Sequence, residues 1–245
     1  MTRAEIQFIR SLADKRTRDE EQLFVAEGRK LVEEIAASHL RIRNIYTTRK
    51  DFVGDNVEVV TDKDMERISQ LKSASDTLAV VEQPRYKLDY KHLGDKLTLA
   101  LDGVQNPGNL GTIIRLADWF GIEDIVCSAE CADCYNPKVV QATMGAILRV
   151  RVHYVSDLAA VLRSTADSGK PIYGTLLDGD NIYNATLENR GIVVMGNEGR
   201  GVSAECRAML THKLLIPPYP IDAPTSESLN VAMATGIILA EFRRR

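Results

Sequence analysis

Residues 99–128 read LALDGVQNPGNLGTIIRLADWFGIEDIVCS. An apolar run leads to Gly103. Three glycines, two asparagines and one proline then fall within residues 103–111. A helical pattern, TIIRLADWFG, carries Arg115 in its first turns, and a second apolar run, DIVCS, follows. Strand, glycine loop, helix and strand make a βαβ unit, which implies a parallel sheet. The loop is neither G-x-G-x-x-G nor G-x-x-x-x-G-K-[ST], so neither the dinucleotide nor the P-loop reading applies.

The pattern continues to the C-terminus. VRVHYV, PIYGTLL, GIVVMG and KLLIPP are apolar, β-rich runs. Helical segments alternate with them, among them PKVVQATMGAIL, DLAAVLRSTADSG, SAECRAML and SLNVAMATGIILAEFRRR. Continuous apolar strands separated by helices predict a sheet covered on both faces. Upstream, FVAEGRKLVEE reads as strand and helix, RIRNIYTT, NVEVVT and DTLAVVEQP as strands, and TDKDMERISQL as a helix capped by Thr61. The polar, aperiodic RYKLDYKHLGDK separates the halves. The expected organisation is α/β throughout, with domains over residues 1–90 and 91–245.

The chain has 245 residues, 44% hydrophobic and 27% charged, enough for a sizeable core. No apolar run is long enough to span a bilayer, and the N-terminus is too charged for a signal peptide. A cytoplasmic protein with no membrane partner is therefore expected. Residues 1–90 carry 16 Lys+Arg against 17 Asp+Glu, and residues 91–245 carry 15 against 17. Neither half is basic, which argues against a non-specific nucleic-acid binder. Local basic clusters remain, as at Arg41 with Arg43 and Arg49 with Lys50.

Ligands bind beyond the carboxyl ends of parallel strands. Three loops are candidates: NPGNLGTIIR, GNEGRGVS at residues 196–203, and PPYPIDAPTSESLN before the last helix. The histidines, at 39, 92, 153 and 212, fall outside all three, so no histidine general base is apparent. No G-x-S-x-G elbow occurs.

NPGNLGTIIR, MGNEGRGVS and IPPYPIDAPTSESLNVAMATGIILAE resemble, in order and near-spacing, the three motifs of the SpoU/TrmH-type RNA ribose methyltransferases of the SPOUT superfamily. FVAEGRKLVEE resembles the small ribosomal-protein-like substrate-binding domain that precedes many members. The resemblance implies S-adenosylmethionine as donor and a ribose 2′-hydroxyl of rRNA or tRNA as acceptor. It also implies a trefoil-knotted C-terminal domain and a homodimer with its active site at the subunit interface. It implies catalytic roles for Arg115, for Asn109 six residues before it, for Glu198 as partner of Asn109, and for Ser228 and Asn230. Arg115 is too basic to accept a proton, so it would stabilise charge on the ribose oxygen or organise a phosphate. Gly196, Asn197, Ile216 and Leu229 would line the cofactor pocket, with Thr175 to Leu177 and Met144 beside them. The third motif departs from the commonest pattern in its longer, proline-rich loop, PYPIDAPTSE.

Two other readings compete. Cys127, Cys131 and Cys134 form C-x3-C-x2-C, the spacing of radical adenosylmethionine enzymes, and Cys206 would complete a zinc set. No metal is expected, since the resemblance asks for no cysteine there. A non-catalytic RNA-binding protein with a vestigial site is the second alternative; the residues present at the motif positions argue against it.

Overall fold

The computed structural model describes residues 1–220 and 228–244. The chain divides into two compact units, Met1–Arg85 with Asp133–Leu148, and Tyr86–Ala132 with Arg149–Arg245.

The first unit opens with helices α1 (Arg3–Ser11) and α2 (Lys15–Glu21), then β1 (Leu23–Glu27), α3 (Arg29–Ala36), β2 (Ile42–Thr47), β3 (Val57–Val59), α4 (Asp62–Ile68) and β4 (Thr77–Glu82). The strands pair in the order β1-β4-β2-β3, antiparallel except for β2 with β3. Thr61 caps α4 as its position predicts, its hydroxyl accepting from Asp64 N at 3.1 Å. All five residues of β1 are buried. Period-2 alternation sends Leu23 and Val25 to one cluster, with Ile6, Ile9 and Met65, and Phe24 and Ala26 to another, with Val32 and Ile35.

The segment that completes the second cluster is distant in sequence. Helix α6 (Pro137–Thr143) and a 3-10 turn over Ala146–Leu148 bring Val140, Ile147 and Leu148 into it. Arg18, 1% exposed, donates to the carbonyls of Leu12 and Ala13 at 2.8 Å and to Asp133 Oδ2 at 2.6 Å. A charge buried this deeply requires its partner. The simple expectation of one cut near residue 90 thus omits a segment that packs with the N-terminal residues.

The second unit holds β5 (Thr98–Asp102), α5 (Pro107–Trp119), β6 (Asp124–Ser128), β7 (Arg151–Val155), α7 (Leu158–Asp167), β8 (Ile172–Asn181), β9 (Ile192–Gly196), α8 (Ala204–Arg207), β10 (His212–Leu215) and α9 (Val231–Arg244). Its six strands are parallel, in the order β10-β8-β9-β5-β6-β7. Ala100, Val126, Ile172, Ile192 and Val194 pack in one cluster with Leu158 and Leu162 of α7. Helices α5 and α9 pack together. The chain runs outward from β5 through β6 to β7 and returns on the other side through β8, so β5 and β9 flank the topological switch point. Among the described residues, no helix is long and apolar enough to cross a membrane.

Helix α5 starts at Pro107, five residues before the pattern TIIRLADWFG suggests. Asn106 caps it, its side-chain oxygen accepting from Gly108 N at 2.8 Å and Asn109 N at 3.1 Å, and Pro107 takes the first helical position. Much of the glycine-rich stretch is therefore helix, and Arg115 lies in its third turn.

Candidate active site

Two loops leave the carboxyl ends of β5 and β9, side by side. At the first, Gly103 takes φ +72°, a left-handed turn that glycine adopts without strain. At the second, Asn197 and Gly201 exchange main-chain hydrogen bonds of 2.9 Å in both directions. Gly196 has no room for a side chain there, because a Cβ would come within 2.2 Å of the Gly201 carbonyl carbon. Asn197 joins the loops. Its Nδ2 donates to Gly103 O at 2.6 Å, and its Oδ1 accepts from Gly199 N at 2.9 Å and Arg200 N at 3.0 Å. Asp102 Oδ2 also accepts from Ser203 N at 2.7 Å.

Glu198 projects back onto the first loop. Its carboxylate accepts from Gln105 N at 3.3 Å, Asn106 N at 3.1 Å and Asn109 Nδ2 at 2.9 Å. Partial burial is the largest single influence and would raise its pKa. The Asn109 amide and the main-chain N–H groups together outweigh it, and the group lies below its usual value. An ionised carboxylate only accepts, so the NH2 of Asn109 must face it. The Asn109 carbonyl is thereby turned to Asn230, whose Nδ2 donates to it at 2.9 Å. Asn230 Oδ1 is left for the start of α9, accepting from Ala232 N at 3.0 Å and Met233 N at 3.3 Å. One carboxylate thus fixes two amides in series, and the chain Glu198–Asn109–Asn230 links all three motifs.

Beside this chain lies a cavity of about 760 Å³. Thr175, Leu176, Gly196, Asn197, Ile216 and Leu229 line it, and Glu198 and Ser228 reach it. Its size and mixed lining suit a nucleoside-sized ligand. Met144 is not among the lining residues; it ends α6 at φ +50° and is 62% exposed. The sequence reading missed Asp178 and Arg207, an ion pair from β8 and α8 on the same cavity, as well as Leu214 and Leu215. The position of KLLI at a strand's carboxyl end was the available signal for the two leucines.

Arg115 and Ser228 stand apart from the hydrogen-bonded chain. Arg115 is exposed, and its side chain makes no hydrogen bond or ion pair with the described residues. Six residues beyond Asn109 on a helix, it points about 120° away from it. It shares an exposed strip with Thr112 and Trp119, the latter 83% exposed. Most of the proline-rich stretch, Ile221–Glu227, lies outside the described residues.

The four cysteines are buried and form no disulfide among the described residues. Cys131 Sγ donates to Leu101 O at 3.1 Å, and the neighbouring Cys127 thiol brings its pKa down to about 7. Cys134 belongs with the other compact unit. Among the described residues, no group of three or more His, Cys, Asp or Glu is arranged to hold a metal ion.

Comparison with known proteins adds to this geometry. Residues 96–240 match the profile of the SpoU rRNA Methylase family, and residues 3–84 that of the MRM3-like substrate binding domain. The 23S rRNA (guanosine(2553)-2'-O)-methyltransferase RlmP of Bacillus subtilis is 28% identical over 96% of this chain and 94% of its own length. An uncharacterised tRNA/rRNA methyltransferase of Synechocystis is 36% identical over 151 residues, and the match spans only 54% of that protein. Among solved structures, an RNA methyltransferase of the TrmH family from Porphyromonas gingivalis is 39% identical, with a TM-score of 0.89 over 100% of this chain and 98% of that one. An AdoMet-bound rRNA methyltransferase from Sinorhizobium meliloti is 30% identical, with a TM-score of 0.88 over 100% and 95%.

Proposed function

Since this chain belongs to the SpoU rRNA methylase family, we propose that it methylates a ribose 2′-hydroxyl of rRNA or tRNA with S-adenosylmethionine as donor. The observation that carries this reading is the Glu198–Asn109–Asn230 chain set against the cavity. When bound, the donor supplies a methyl group on a sulfonium, ready for in-line displacement by an oxygen. The protein's part is to align the two and stabilise the charge that develops on the oxygen.

The residues present fit such a donor. Ile216, Leu229 and Leu176 offer apolar surface for a purine, and the main chain at Gly196 and Ile216 offers donors and acceptors. Glu198 stays ionised and holds Asn109 and the loop from β5 in place; with every near donor already engaged, its role is to position. Arg115 has its guanidinium uncommitted among the described residues, so it can bind the acceptor oxygen or an adjacent phosphate.

Its direction away from Asn109, on a strip with Trp119, supports a homodimer in which one copy completes the other's site. The family match extends over the last strand and helix, which supports the trefoil knot there. The match of residues 3–84 to a substrate binding domain supports RNA selection by the first unit. An RNA substrate suits the cytoplasm.

Ribose-methylation mapping of total RNA from a deletion strain and its parent tests the reading. One 2′-O-methyl site should disappear and return with the gene. An unchanged map would sink the proposal.

A further inference from the structure

The nine described arginines of the second unit divide unevenly. Arg149 pairs with Asp118, Arg151 with Asp124, Arg190 with Glu188, Arg207 with Asp178 and Arg244 with Glu241. Arg243 donates to Phe120 O and Asn189 Oδ1, and Arg163 to Met209 Sδ. Only the side chains of Arg115 and Arg200 have no hydrogen bond or ion pair among the described residues; Arg200 is felt only at longer range, by Glu130. Of these two, Arg200 lines the cavity.

Among the described residues, the cavity's other charges are already engaged. Glu198 is held by three N–H groups, Asp178 by Arg207 and Lys213, and Arg207 by Asp178. Arg200 is therefore the uncommitted charge among the described residues of this wall. Its backbone is held, since Arg200 N donates to Asn197 Oδ1 and the loop is closed by the Asn197–Gly201 pair. A fixed backbone under an unpaired guanidinium is a prepared anion site at low ordering cost. The donor molecule carries one anion, the carboxylate of its amino-acid end.

We infer that Arg200 is the cofactor-positioning residue that binds this carboxylate, so that the cavity reads the amino-acid end of the donor as well as its adenosine. The inference rests on the proposed donor. It gives the loop two jobs two residues apart: Glu198 orients Asn109, and Arg200 anchors the donor's tail beside it. Because the anchor is common to donor and demethylated product, it sets affinity for both.

Calorimetry on the full chain tests this with two probes, S-adenosylhomocysteine and methylthioadenosine. They share adenosine and a thioether, and only the first carries the amino-acid end. Wild-type protein should prefer S-adenosylhomocysteine by ~10-fold, as for a charge-assisted bidentate contact open to solvent. Arg200→Gln should abolish that preference while leaving methylthioadenosine binding unchanged. Arg200→Lys should retain part of it, because a point charge lacks the guanidinium's fork. Both variants keep the main-chain N–H that closes the loop. Arg200→Gln retaining the preference, or weakening both probes equally, would overturn the assignment, as would wild-type protein that binds the two alike. Wild-type protein that binds neither removes the donor reading itself and this assignment with it.

Discussion

Arg115 and Glu198 are both charged residues of the motif loops, yet the structure treats them oppositely. The Arg115 side chain has no partner among the described residues, so its replacement removes charge without disturbing a network there. Arg115→Ala should lower kcat by ~10²–10³ with cofactor Kd unchanged, the range for losing one prepared donor. Steady-state kinetics with saturating RNA, alongside calorimetry, checks both halves; a lost Kd with kcat preserved would place Arg115 in the cofactor site instead. Glu198 is wholly engaged, and its pKa lies below 4.5. A carboxyl group depressed on folding stabilises fully above its unfolded pKa and loses that contribution as pH falls through the folded one. Glu198→Gln should therefore lower Tm at pH 7, with the gap to wild type closing below about pH 4.5, as thermal melts across pH would show. The roles of both residues came from motif resemblance. The resemblance also supplied the Glu198–Asn109 pair, but not the main-chain N–H groups of Gln105 and Asn106 on the same carboxylate or the link from Asn109 to Asn230, because a hydrogen bond spanning 121 positions has no local sequence signal.

At the scale of elements, α5 shows what punctuation residues can and cannot reveal. Glycine and proline suggested a loop as far as Gly111. The structure makes Asn106 the cap and Pro107 the first helical residue, because Pro's fixed φ suits that position and its missing N–H is not needed there. The signal was present as Asn-Pro but was outweighed by glycines, which helices tolerate at modest cost. Asn106→Ala should destabilise the protein by ~1 kcal/mol and speed amide exchange at Gly108 and Asn109. Chemical denaturation with hydrogen exchange checks this; protection equal to wild type would mean that Pro107 and Glu198 define the start of the helix without the cap. The parallel sheet was legible throughout, since continuous apolar strands alternating with helices leave few other solutions.

For the whole molecule, the packing of residues 133–148 was the hidden feature. The apolar pattern of PKVVQATMGAIL shows that a helix is buried, and it cannot show which sheet receives it. Val140, Ile147 and Leu148 join Phe24, Ala26, Val32 and Ile35, and Asp133 neutralises Arg18. A fragment of residues 1–90 should therefore lack a cooperative thermal transition, whereas one joining residues 1–85 to 133–148 through a short linker should melt cooperatively. Circular dichroism distinguishes them, and a sharp transition in the first fragment would refute the expectation. Asp133→Asn in the full chain should cost ~3–5 kcal/mol, as for a buried cation left without its counter-ion.

That same segment bears on how such proteins can be recombined. By sequence it lies inside the catalytic match, residues 96–240, yet it completes the core that carries the substrate-domain match, residues 3–84. The N-terminal module is thus not a bead that can be exchanged by a single crossover. A chimaera that borrows a relative's first 85 residues inherits a core without Val140, Ile147 and Leu148, and must import α6 and the following turn as a second, separate insertion. In relatives packed the same way, change in the N-terminal unit would then favour gradual substitution within one lineage over wholesale domain shuffling.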